Sequence, residues 1–175
     1  ASWGRFLQGI VFNDPRIGTA YRGNASERRT QHPTLPWSGA EDFLHDGAVG
    51  DFKCFELDNF TWTHDAATEG WDRLKTDCPD IAWQGVSGCV LHGLTRFELI
   101  LYVPYLADLE LIIQEARELD DKRFNWINYA EQEELPYLLP NTHYPDLSKF
   151  VFEIPEEDKA YLVERVEKST ELLNV

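Results

Sequence analysis

The sequence predicts an α+β fold: a single mostly antiparallel sheet with two or three packed helices, preceded by a long irregular N-terminal arm. Three observations predict it. Strand-like runs come in groups, separated by stretches of helical period, rather than alternating one for one with helices. Residues 11–50 are dense in breakers, including Asn13-Asp14-Pro15, Gly18, Gly23-Asn24, Pro33, Pro36, Ser38-Gly39, Gly47 and Gly50. A charge divide runs with that boundary. Residues 1–35 carry five arginines against Asp14 and Glu27, a net of +3, while residues 36–175 carry eleven Lys or Arg against twenty-nine Asp or Glu, a net of −18. The chain therefore divides into a basic irregular arm over 1–50 and an acidic α+β domain over 51–175.

Taken in order, Trp3, Phe6, Leu7, Ile10, Val11 and Phe12 can pin the start of the chain to the body or to a partner. Residues 41–46 are expected to form a short helical turn. Asp51–Leu57 reads as a strand, with a slip of alternation between Cys54 and Phe55 that fits a bulge. Thr63 or Asp65 can cap a helix running to about Asp77, in which Ala67, Trp71, Leu74 and Cys78 recur at helical spacing. Ile81–Val86 and Cys89–His92 read as short strands around Ser87-Gly88. Phe97–Val103 has two apolar faces and is expected to be a central strand covered on both sides.

A helix from Tyr105 to Asp120 buries Leu106, Leu109, Ile113 and Ala116, and Asn125–Leu139 is expected to contain another. Phe150, Phe152 and Ile154 alternate as a strand over Lys149–Ile154. Pro155 then opens a terminal helix with Glu156, Glu157 and Asp158 in its first turn, where the helix dipole favours negative charge. A split β-α-β-β-α-β arrangement is one topology compatible with this order.

At 175 residues, with 43% hydrophobic and 13% aromatic content, the chain can bury one sizeable core. Its net charge of −15 disfavours nucleic acid and anionic membrane as partners of the body, because both require positive surface. No stretch approaches the roughly 20 apolar residues of a membrane span. Three cysteines do not make a disulfide framework, which favours an intracellular setting. A secreted or organellar one remains open, since the chain begins Ala1-Ser2-Trp3 without Met and carries sequons at Asn24 and Asn59. No cofactor is implied.

Few constellations carry chemistry. Cys78, Cys89 and His92 are soft donors suited to zinc but lack a fourth ligand. His45-Asp46 and His64-Asp65 are the dipeptide of some metal-dependent phosphohydrolases, without the further ligands these need. His64, Asp65 and His92 are the acid–base candidates. Asp51-Phe52-Lys53 resembles the tail of a nuclease Asp-x-Lys motif. Around residues 124–144, Trp126 and Tyr129 precede Glu131, Glu133 and Glu134, aromatic anchors beside negative charge.

Three functions follow as expectations. The first is a non-enzymatic acidic module, of inhibitor or immunity type, docking a protein with a basic surface through Trp126, Tyr129, Glu131, Glu133 and Glu134. The second is an accessory subunit of a larger assembly, held by the arm with Arg22, Arg28 and Arg29. The third is a small-molecule hydrolase or lyase with a His/carboxylate site in an aromatic pocket.

Overall fold

A computed structural model describes residues 2–17, 29–54, 56–131 and 134–174. Among these, the elements in chain order are α1 (Ser2–Phe12), β1 (Thr30–Gln31), β2 (Ser38–Gly39), β3 (Phe43–His45), β4 (Ala48–Lys53), α2 (Leu57–Glu69), α3 (Trp71–Asp77), α4 (Pro79–His92), β5 (Arg96–Tyr102), α5 (Leu106–Leu119), a 3-10 helix (Lys122–Tyr129), β6 (Leu147–Glu153) and α6 (Glu156–Leu173). The α+β class holds, but the main sheet is mixed. Its order is β3-β4-β5-β6, antiparallel at both outer pairs and parallel between β4 and β5; β1 and β2 form a separate antiparallel pair.

The expected single, mostly antiparallel sheet is met in part: a second small sheet is present and one central pair is parallel, for a cause that lies in α4. Residues 81–92, read from sequence as two short strands, form one helix. Pro79 sits in its first turn, and Gly93, left-handed at φ 65°, ends it. Gly85 and Gly88 are contact points rather than breakers. A Cβ on Gly85 would meet the Phe97 ring at 2.4 Å, so the helix backbone lies directly on β5. With α2, α3 and α4 filling the connection, β4 and β5 are joined by the long crossover that parallel strands require, and the split β-α-β-β-α-β arrangement is not formed.

Other expectations shift by shorter distances. The helix expected over 63–77 is two helices, broken at Gly70, whose φ of 117° only glycine adopts readily. The strand expected over 51–57 starts earlier and ends at Lys53, with Leu57 opening α2; Phe55, half of the expected bulge, lies outside the described residues. Residues 43–45 are strand rather than helical turn, because Asp46 and Gly47, both at positive φ, close a two-residue hairpin. The helix expected within 125–139 is a 3-10 helix over Lys122–Tyr129, started by Asp121, whose side chain accepts from Arg123 N–H. β5, β6, α5 and α6 lie where the periodicity places them.

The sheet separates two apolar layers. On one face Val49, Phe97, Leu99 and Phe152 pack with Phe60, Leu74, Ala82 and Val86 of α2, α3 and α4. On the other, Phe52, Ile100 and Tyr102 pack with Leu7 and Val11 of α1, Leu109 of α5, and Phe124 and Ile127 of the 3-10 helix. The start of the chain is thus part of the core, as its apolar spacing allows, rather than part of an irregular arm. Arg16 fastens the segment after it, donating to both carboxylate oxygens of buried Asp146 at 2.7 and 3.0 Å. At the far end, buried Asp158 accepts from Trp71 Nε1 at 2.8 Å and pairs with Lys75, holding the first turn of α6.

Substituting Gly85→Ala should destabilise the chain by about 1–3 kcal/mol, because the methyl must displace a fully packed Phe97 ring. Urea unfolding followed by circular dichroism checks this; an unchanged midpoint would show that α4 does not rest on β5 at Gly85.

Candidate active site

β4 alternates as a strand must, so Val49, Asp51 and Lys53 face α4 while Phe52 faces α1 and α5. β3 is only three residues long and pairs Phe43 with Gly50. The second half of β4 therefore runs beyond its edge partner. Asp42 extends the pairing. Its N–H donates to Gly50 O at 3.2 Å, and its Oδ2 accepts from Phe52 N–H at 2.7 Å, taking the place of a strand carbonyl. This turn brings the Asp42 carboxylate close enough to Asp51 to oppose its ionisation.

Asp51 is 5% exposed. Lys53 Nζ lies 2.8 Å from Asp51 Oδ2, an ion-pair distance, yet that oxygen has no partner in hydrogen-bond geometry. The same ammonium donates to Gln84 Oε1 of α4 at 3.2 Å. Burial, and then the Asp42 carboxylate, push Asp51 up to about 8, against the pull of Lys53. Two acids, a lysine and an amide thus converge where the sheet edge is open. On one side is a cavity of about 230 Å³ lined by Glu41, Asp51, Gln84 and Ser87. On the other, Lys53 lines an open groove of about 1240 Å³ between α1, the start of α2 and the segment after the 3-10 helix.

Among the described residues no group of three or more His, Cys, Asp or Glu side chains is placed to hold a metal ion. A smaller set, the two carboxylates Asp42 and Asp51, is of the kind a hard, hydrated cation accepts. A Mg²⁺ ion keeps several waters and needs only one or two carboxylates, and Asp51 offers a buried oxygen lacking a hydrogen-bond donor. Asp42 and Asp51 would hold it.

The residues singled out from sequence are mostly placed elsewhere. Cys78 lies beside Thr63 Oγ1, and Cys89 Sγ is 3.4 Å from Arg96 O; burial raises both thiols, Cys89 to about 12. His92 bonds Glu41 at 2.5 Å and approaches Thr30 Oγ1, tying β1 to the end of α4. His64 sits among Phe60, Tyr144 and Phe150, and burial lowers its basicity. Asp65 instead accepts from Tyr144 Oη at 2.9 Å.

Trp126 (39% exposed) lines the large groove with Glu134, Tyr129 is 83% exposed, and Glu131 is exposed, its N–H bonded to Glu134. Arg29 donates to Ser38 Oγ at 3.2 Å. Arg22, Arg28 and Glu133 lie outside the described residues. Asp42 and Gln84 were missed. The signal for Asp42 was present: Asp46-Gly47 is a hairpin dipeptide, and folding the chain back there sets residue 42 beside 51.

No protein-family model matches the chain, and no curated protein matches it. Among solved structures it is similar to a phage-related exonuclease from Haemophilus somnus 129PT, at TM-score 0.46 and 14% identity, covering 94% of this chain and 68% of that one. That likeness carries no weight for activity or substrate.

The carboxylate pair has a testable cost. Asp51 holds its proton more tightly folded than unfolded, so its contribution to stability is complete below the ordinary carboxylate range and is lost as pH rises towards about 8. Asp51→Asn removes that loss. At pH 8 in chelator, it should melt above the wild type by at least about 3 °C, with the gap closing near pH 4. Differential scanning calorimetry at both pH values checks this; a lower melting point for Asp51→Asn at pH 8 would mean the carboxylate is not strained by burial.

Proposed function

We propose that the chain is a divalent-cation-dependent phosphodiester hydrolase acting on nucleic acid, with Asp42, Asp51 and Lys53 as its working residues and Gln84 positioning Lys53. The observation that carries this reading is the pair of carboxylates meeting at the open edge of β4, with an ammonium two residues along the same strand face. A bound Mg²⁺ would supply Lewis-acid polarisation of a phosphoryl oxygen and a more acidic water. Asp42 is held by Phe52 N–H, which fixes its carboxylate beside β4. The Lys53 ammonium, 2.8 Å from Asp51 Oδ2, would stabilise charge developing on a phosphoryl oxygen brought beside it. Gln84 Oε1 keeps that ammonium in register.

The acidity of the whole surface argues against tight nucleic-acid binding by the body, but catalysis asks for positive charge only at the phosphate, where the cation and Lys53 provide it. A second reading, the acidic module that docks a basic protein, is favoured by Tyr129, 83% exposed beside exposed Glu131 and Glu134. It places the working surface on the 3-10 helix and leaves Asp51 without a role.

The two are separated by activity. The purified chain should cleave DNA or RNA with Mg²⁺ and stop with chelator. Asp51→Asn and Lys53→Met should each lower kcat by about 100-fold or more, while circular dichroism stays native. Cleavage that survives chelation, or is indifferent to Asp51→Asn, would overturn the hydrolase reading; loss of basic-partner binding on Tyr129→Ala would support the second.

A further inference from the structure

The proposed catalytic lysine is one of the residues lining the large groove, and the groove bears on which form of nucleic acid the site takes. Asp51 is buried, and the 230 Å³ cavity behind it has no room for a chain. Lys53 is reached through the groove, so a phosphodiester drawn up to it brings its neighbouring nucleotides in as well. We propose that the groove seats an unpaired strand, with a nucleobase stacked on Trp126; this rests on the hydrolase reading above.

The lining supports that occupant. Trp126 lines the groove, is 39% exposed and packs against Trp3 at 6.4 Å and 72°, so its side chain is already ordered where a base would stack. Tyr137 and Leu139 add apolar surface, and Arg5 projects from α1 on the same groove. Stacking on aromatic faces is open to every base, but only when the bases are not turned inward in a duplex. The charge pattern sharpens the proposal. Arg5 and Lys53 are set against Glu56, Asp58 and Glu134, so little counterion release accompanies binding. Affinity then comes from stacking, and its dependence on salt is shallow.

The test measures binding in the Asp51→Asn chain, so that cleavage does not intrude, by fluorescence anisotropy of a labelled oligothymidylate, of the same length of duplex, and of an arginine–leucine peptide as a cationic competitor. The single strand should bind more tightly than the duplex. Adding Trp126→Ala should weaken it about tenfold, with Trp126→Phe largely restoring it. Equal binding of duplex and single strand, indifference to Trp126→Ala, or binding of the peptide alone would overturn the proposal. The hydrolase reading fails separately, if Asp51→Asn still hydrolyses bis(p-nitrophenyl) phosphate at the wild-type rate, since that small diester does not need the groove.

Discussion

The arrangement depends on a backbone amide that the sheet cannot satisfy. β3 stops short, so Phe52 N–H in β4 faces an edge with no strand beside it. An unpaired amide there costs free energy comparable to a lost hydrogen bond, and the Asp42 carboxylate takes it at 2.7 Å. That single contact fixes Asp42 in space. It also places its charge against Asp51, on a face already buried by α4. The pair is unfavourable as structure: burial and a neighbouring acid both oppose ionisation of Asp51. Burial and the neighbouring acid favour the protonated form of Asp51, whereas a bound cation would favour the ionised one.

The rest of the molecule holds that edge open while closing everything around it. α4 is pressed onto the sheet through Gly85 and Gly88, which brings Gln84 within reach of Lys53. α1 covers the opposite face through Leu7 and Val11, and Arg16 locks the following segment to Asp146. Asp158 does the same for α6, with Trp71 and Lys75. The groove is then what remains between α1, α2 and the 3-10 helix, bordered by Trp126, Glu134 and Tyr137.

How much of this was legible in the sequence differs by element. β5, β6, α5 and α6 follow from periodicity because each is flanked by plain signals: alternation in Phe150 and Phe152, or acids after Pro155. α4 was misread because it is buried on most sides, and its apolar run carries no clear period. Its glycines looked like breakers, when their role is to let a helix touch a strand. The site was half visible. Asp51-Phe52-Lys53 was noticed as a nuclease-like triplet, but its partner Asp42 lies nine residues away and becomes a neighbour only through the Asp46-Gly47 hairpin. Gln84 depends on helix–sheet packing, which no local pattern records. The candidates chosen by residue type, such as Cys89 and His64, proved to be packed in apolar surroundings.

The charge divide that separates the start of the chain from its body has a narrower meaning in the structure. Much of the acidity lies on exposed faces of α5 and α6, where it solvates the surface, while Asp51 is buried with Asp42 and Glu41 half-buried near it. The most direct measurement is a titration of Mn²⁺, as a spectroscopic stand-in for Mg²⁺, followed by electron paramagnetic resonance. The wild-type chain should take up the ion, and Asp42→Asn should weaken that binding at least about tenfold while remaining folded. Absence of Mn²⁺ binding, or binding that Asp42→Asn leaves unchanged, would contradict a cation site built on the Asp42–Asp51 pair.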